Sequence, residues 1–195
     1  MKGTLFFVLL TIITGLLSCT EDKNTIVTEP QLKEMRSTAA EFMKELKSIL
    51  IKEIQQGGIS SAVAVCSDTA QLLTNNFGLQ RGVFMRRVSF NNRSENNFPD
   101  EYEKHILNKF QEMYKNDKLT ETSENIEIIF EDDAANLRYL KPIFIQAECL
   151  NCHGGESDVQ QETKDLIAKR YPNDKAINYQ LGDLRGAVSV KKVVE

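Results

Sequence analysis

The sequence predicts an α+β fold, with a central antiparallel sheet flanked by helices and a long helix on the N-terminal side. Three observations carry this. Helical spacing of apolar residues dominates the first half of the chain, and strand-like alternation dominates the end. Strands and helices do not alternate one by one, as a parallel βαβ fold would require. The 195 residues are 41% hydrophobic and 27% charged, which excludes collagen-like, coiled-coil and wholly disordered chains. There is no internal repeat and no second domain boundary. A net charge of −4 leaves no basic footprint, so nucleic acid is not an expected partner.

The N-terminus reads as an address. Lys2 precedes an apolar stretch over residues 5–17, too short for a spanning helix of about 20 residues. It ends in Leu16-Leu17-Ser18-Cys19, which resembles the bacterial lipobox. That resemblance implies diacylation of Cys19, and two acyl chains suffice for stable anchoring. The expected organisation is a signal peptide over 1–18, a lipidated tether over 19–30 and one folded domain over 31–195. The expected location is the bacterial cell envelope, as an outer-membrane-anchored lipoprotein facing the periplasm or the cell surface.

Each element has its own signal. Leu32, Met35, Ala39, Phe42, Met43, Leu46, Ile49 and Leu50 recur at spacings of three and four, the stripe of an amphipathic helix that Gly57-Gly58 stops. A second helix, rich in small residues, is expected from Ser60 to about residue 76. Residues 83–90 read as a strand and residues 91–97 as a polar loop. Pro99-Asp100-Glu101 opens a third helix with Tyr102, Ile106, Phe110 and Met113 on one face. Residues 125–131 and 137–145 read as strands joined by an acidic turn at Asp132-Asp133. Residues 149–155 form a loop or one helical turn. A short helix over 159–171 and a final strand over 186–194 complete the chain.

Cys149-Leu150-Asn151-Cys152-His153 is C-x-x-C-H, the signature of covalent c-type haem attachment. Residues three apart on a helical turn lie about 5–6 Å from each other, so both thiols can form thioethers to the vinyl groups of one porphyrin. The adjacent His153 then turns under the ring to ligate iron, and Gly154-Gly155 leaves the backbone free to clear the haem edge. Three other readings use the same residues. Cys149 and Cys152 could act as a redox dithiol or form a tight disulfide, and with Cys66 and His153 they could form a Cys₃His zinc site. None of these explains the full pentapeptide in an exported chain. One haem c is therefore the expected cofactor.

The second axial ligand has several candidates: Cys66, His105, Met35, Met43, Met85 and Met113. Cys66 lies in a small apolar stripe with Ala62, Val63, Ala70 and Leu73, against which a flat macrocycle could lie. A buried core cysteine is the ordinary alternative. Arg185, Arg138 and Tyr139 are candidate partners for the haem propionates, because carboxylates favour guanidinium groups. Surface charge and a sheet aromatic are the ordinary alternatives there. Asp174 and Asp183 read as turn residues.

The chain also resembles a known family. Its marks are Ala64-Val65-Cys66, Arg86-Arg87-Val88-Ser89 followed by Asn91-Asn92-Arg93, Asn97-Phe98-Pro99-Asp100-Glu101, Tyr139-Leu140-Lys141-Pro142, the C-x-x-C-H motif with Gly154, residues 171–176, and residues 182–190. Together these resemble the haem-c sensory family related to a cyanobacterial photosystem-associated c-type haem protein, which also occurs as a sensor domain of bacterial signalling proteins. The resemblance spans residues 32–195. It implies a PAS-like fold and His/Cys axial ligation, by position His153 and Cys66. This chain departs from the family's frequent Arg-Asn-Pro in the middle loop, where it has Arg93-Ser94-Glu95.

A thiolate ligand favours ferric iron and a low potential. The expected function is that of a redox or gas-ligand sensor, which needs two states that the iron ligands bias differently. It would act through a separate redox or signalling protein partner. The alternative is a small electron-transfer cytochrome c at the outer membrane or in the periplasm. No enzymatic role is expected, because six-coordinate iron offers peroxide no free position.

Overall fold

The computed structural model of the chain describes residues 26–194. The signal segment and Cys19, with the lipidation expected there, lie outside the described residues. The first helix, α1 (Glu29–Asp68), starts at a capping box. The Thr28 side chain accepts from the Gln31 amide, and the Gln31 side chain accepts from the Thr28 amide at 2.9 Å. Pro30 falls in the first turn, where a missing N–H is harmless. The expected tether therefore gives way to helix before residue 30.

α1 is 40 residues long, with one break in its helical dihedrals, at Gly58 (φ 74°, ψ −177°). That conformation is open in practice only to glycine. The Gly57-Gly58 signal thus marks a kink rather than an end. The helix expected over 60–76 is divided at Thr69, whose hydroxyl and amide both donate to the Val65 carbonyl, at 2.6 and 2.9 Å. Such local bonding by threonine competes with helix propagation. Cys66 consequently sits in the last turn of α1 rather than mid-helix. α2 (Ala70–Arg81) follows and ends at Gly82.

The sheet is antiparallel, in the order β1-β4-β3-β2, built from β1 (Phe84–Val88), β2 (Asn125–Glu131), β3 (Ala134–Phe144) and β4 (Leu184–Val194). The acidic turn is a two-residue hairpin, with Asp132 and Asp133 both at positive φ (54° and 60°). These are the dihedrals that match the twist of the flanking strands. α3 (Glu101–Lys115) opens at a second capping box, formed by Asp100 and Glu103. The C-x-x-C-H motif spans a 3₁₀ turn and the single-turn α4 (Leu150–His153), and α5 (Gln161–Arg170) follows.

Side-chain alternation gives the sheet two apolar faces. Met85, Leu137, Tyr139, Val188 and Val190 pack under Met35, Ala39 and Phe42 of α1 and Phe77 of α2. On the other face Val88, Leu140 and Ala187 pack under Ile106, Leu107 and Phe110 of α3. The result is the α+β architecture that the sequence predicts. Among the described residues no helix is long and apolar enough to cross a membrane.

Candidate functional site

The cysteine–histidine motif is held in place from several sides. Lys47 of α1 bonds the Gln146 side chain and pairs with Glu148 at 2.5 Å, tying the turn before the motif to the long helix. Cys149 and Leu150 pack on Ile145, Ala176 and Tyr179, and the Gln146 amide donates to Cys149 Sγ at 3.4 Å. From the far side, the Asn178 amide donates to the Gly154 carbonyl (3.1 Å) and the Tyr179 amide to the His153 carbonyl (2.9 Å).

Gly154 meets a packing constraint within the protein. A Cβ there would lie 2.6 Å from Asp158 Cβ and 2.7 Å from the Leu150 carbonyl oxygen. The glycine is needed for packing of the protein on itself.

The His153 ring stands edge-on to Tyr179, with centroids 6.3 Å apart. Its Nδ1 lies 2.8 Å from the Ala176 carbonyl oxygen. A carbonyl only accepts, so Nδ1 carries the proton and Nε2 keeps its lone pair. Burial holds the imidazole well below the ordinary histidine value, and Arg93, Arg185 and Arg87 push it the same way, against the Ala176 hydrogen bond. The ring is neutral at physiological pH. A backbone-tethered neutral imidazole of this kind is what a metal-ligating histidine requires.

Arg93 organises the surroundings. Its guanidinium donates to Asp174 Oδ2 (3.0 Å), to the Cys152 carbonyl (2.6 Å) and to the Ala176 carbonyl (3.2 Å). Asp174 also accepts from the Ala176 amide at 2.8 Å, so it is both a turn residue and an ion-pair partner. The Lys175 amide donates to the Asn92 carbonyl at 3.1 Å, fastening the middle loop to the same segment.

The structure brings Cys66 to this cradle. Burial raises its thiol pKa, while Arg87 and Arg93 oppose that shift. Burial likewise raises Cys152, whose ionisation also responds to Arg93 and then to Cys66 and Cys149. Arg185 lies 5.4 Å from the Tyr179 ring centroid and donates to the Asn91 carbonyl at 3.0 Å.

Other candidates are placed elsewhere. Tyr139 is fully buried in the core beneath α1, and its hydroxyl donates to Glu124 at 2.8 Å. Arg138 is engaged on the opposite face by Asp100, Glu103 and Glu131. Alternation along β3 decides both placements, and neither side chain joins the cradle. His105 is exposed on α3, Met35 and Met85 belong to the α1–sheet core, Met43 packs against that core, and Met113, on α3, packs against the core between α3 and the sheet.

The sequence reading missed Arg93 as the organiser and gave Arg87 no role. The signal for Arg87 was two adjacent arginines in a strand, since alternation must send them to opposite faces. Three described cysteines, Cys66, Cys149 and Cys152, are free thiols. Among the described residues no group of three or more His, Cys, Asp or Glu side chains is placed to hold a metal ion unaided, so the Cys₃His zinc arrangement is not assembled. Paired thiols, a neutral imidazole with a free Nε2, and three guanidinium groups of which only Arg93 has a carboxylate partner form the site. That set fits the covalent haem predicted from C-x-x-C-H.

Fold and site together define an α+β protein in which a long kinked helix closes a cysteine–histidine cradle at the end of a four-stranded sheet. The chain matches the family model described as Tll0287-like over residues 22–192, and it belongs to that family. No curated protein matches it. Among solved structures it is similar to the crystal structure of the cyanobacterial heme-protein Tll0287, with a TM-score of 0.61 and 21% identity over 87% of this chain and 98% of that one. At that identity the likeness carries the fold.

Proposed function

We propose that this chain is an exported, lipid-anchored haem-c protein that senses redox state or a small gas. In this reading Cys149 and Cys152 hold the haem through thioethers, His153 and Cys66 are the axial ligands, Arg185 faces a propionate, and Cys19 carries the lipid that anchors the protein at the outer membrane. The heme named for the similar cyanobacterial protein supports the cofactor. The observation that carries the reading is the His153 ring, its Nδ1 bonded to the Ala176 carbonyl and its Nε2 free, one residue from the free thiol of Cys152.

When bound, haem supplies an iron whose oxidation state alters its preference for thiolate and for small gases. The remaining work falls to the chain. His153 is held by Ala176 and Tyr179. Cys66 lies on the segment of α1 beyond the Gly58 kink, so release of Cys66 would loosen residues 59–68, while the first part of α1 is packed on the sheet. That shift is what a redox or signalling partner would read. The role is binding and signalling rather than catalysis.

The test is a set of absorption spectra of the protein expressed with a haem-c maturation system, as wild type and as Cys66→Ala. A covalent haem with a thiolate-type spectrum that changes in the variant supports the scheme, and an unchanged spectrum removes Cys66 from the iron. Binding of CO or NO by the ferrous wild type supports sensing. Cycling of the iron with both protein ligands retained and no gas bound supports an electron carrier instead.

A further inference from the structure

β1 carries two adjacent arginines, and alternation sends them to opposite faces of the sheet. Arg86, on the α3 face, is well partnered. It donates to the Asn96 carbonyl at 3.0 Å and the Phe98 carbonyl at 2.5 Å, and its Nε lies 3.9 Å from Glu103. Arg87, on the cradle face, is not. Among the described residues it makes no hydrogen bond and no ion pair; its Nε is enclosed without an acceptor, as Arg86 Nε also is, but Arg86 is satisfied through its terminal amino group and Arg87 is not. Its electrostatic neighbours are the Cys66 thiol, the Tyr171 phenol and the His153 imidazole, none of them a carboxylate.

The other cradle arginines cannot share a partner with it. Arg93 is closed on Asp174 and two carbonyls. Arg185 faces Asn91 and the Tyr179 ring. Arg87 is half-buried, and a guanidinium partly withdrawn from water without a counter-charge is best satisfied by a planar carboxylate that takes both arms of the fork.

We propose that Arg87 is a cofactor-binding residue that clamps a haem propionate, its guanidinium supplying the fork and the propionate the counter-charge that the protein lacks there. This rests on the haem reading above. Haem carries two carboxylates, so Arg87 and Arg185 together would offer one guanidinium to each.

Resonance Raman spectra and potentiometry of the haem-loaded protein test this, with wild type, Arg87→Leu and Arg87→Lys compared. The propionate bending band shifts in Arg87→Leu. Loss of the nearby cation also moves the one-electron equilibrium about tenfold toward ferric iron, or about 59 mV. Arg87→Lys keeps the charge without the fork, so its equilibrium stays within about threefold of wild type while its propionate band still shifts. The lysine variant carries the test if the leucine variant does not fold. An unchanged propionate band in a folded variant that binds haem overturns the assignment of Arg87 and leaves the haem reading standing. A wild type with no Soret band after maturation overturns both.

Discussion

Arg93 shows how much of the site depends on single residues remote in sequence. One guanidinium bonds the Cys152 carbonyl, the Ala176 carbonyl and Asp174, so it fixes both the motif and the segment that tethers His153. Hydrogen bonds to charged groups contribute about 1.5–3 kcal/mol each when the partner is left buried. Arg93→Ala is expected to lower stability by about 2–4 kcal/mol, read as a lower urea midpoint at unchanged slope. The C-x-x-C-H motif was legible because its chemistry is local and its spacing is the message. Arg93 was not, because its partners lie 59 to 83 positions away and only the fold brings them near. Tyr139 is a related case: residue type leaves a propionate partner or a sheet aromatic open, and pairing with Ile126 and Val190 and the face it shares with Leu137 deliver its hydroxyl to Glu124.

Among the elements, α1 is the one on which the proposed function turns. Its first part is fixed by the capping box and by burial of Met35, Ala39 and Phe42 on the sheet. Its last part carries Cys66 and docks on α5 through Ser60–Glu162 and Ser67–Arg170. Gly58 joins the two in a conformation costly to any residue with a Cβ. Gly58→Ala is therefore expected to destabilise the protein by about 1–3 kcal/mol, with a lowered thermal midpoint. In the haem-loaded form it should also perturb the iron spectrum, since the segment bearing Cys66 must be redirected. A Gly-Gly pair in a helical pattern announced the interruption. Whether the chain stopped or kinked was decided by packing of the following segment against α5, which no local signal reports. The break at Thr69 was hidden because threonine in a helical run differs from a breaker only once its hydroxyl finds the Val65 carbonyl.

For the whole molecule, the two faces of the sheet divide the work. The α1 face leads to the cradle, while the α3 face is locked by charge. Glu103, 1% exposed, lies between Arg86 (3.9 Å) and Arg138 (3.6 Å), and Arg138 also reaches Asp100 at 2.7 Å and Glu131 at 2.9 Å. Removing one member of such a network strands the others. Arg138→Ala is expected to cost about 3–5 kcal/mol in chemical denaturation, more than the loss of any surface pair such as Lys115–Glu112. The α+β class was legible from periodicity, because both faces obey the alternation that the sequence displays. The closing of the chain around one cradle was legible only through the motif set shared with the family. In the proposed function this cradle holds one haem by two thioethers. Mass spectrometry under denaturing conditions, on protein produced with a haem-c maturation system, tests it directly. The expected result is a chain heavier by one haem, with the increment lost in the Cys149→Ser/Cys152→Ser double variant. A wild-type chain at its bare polypeptide mass would contradict it.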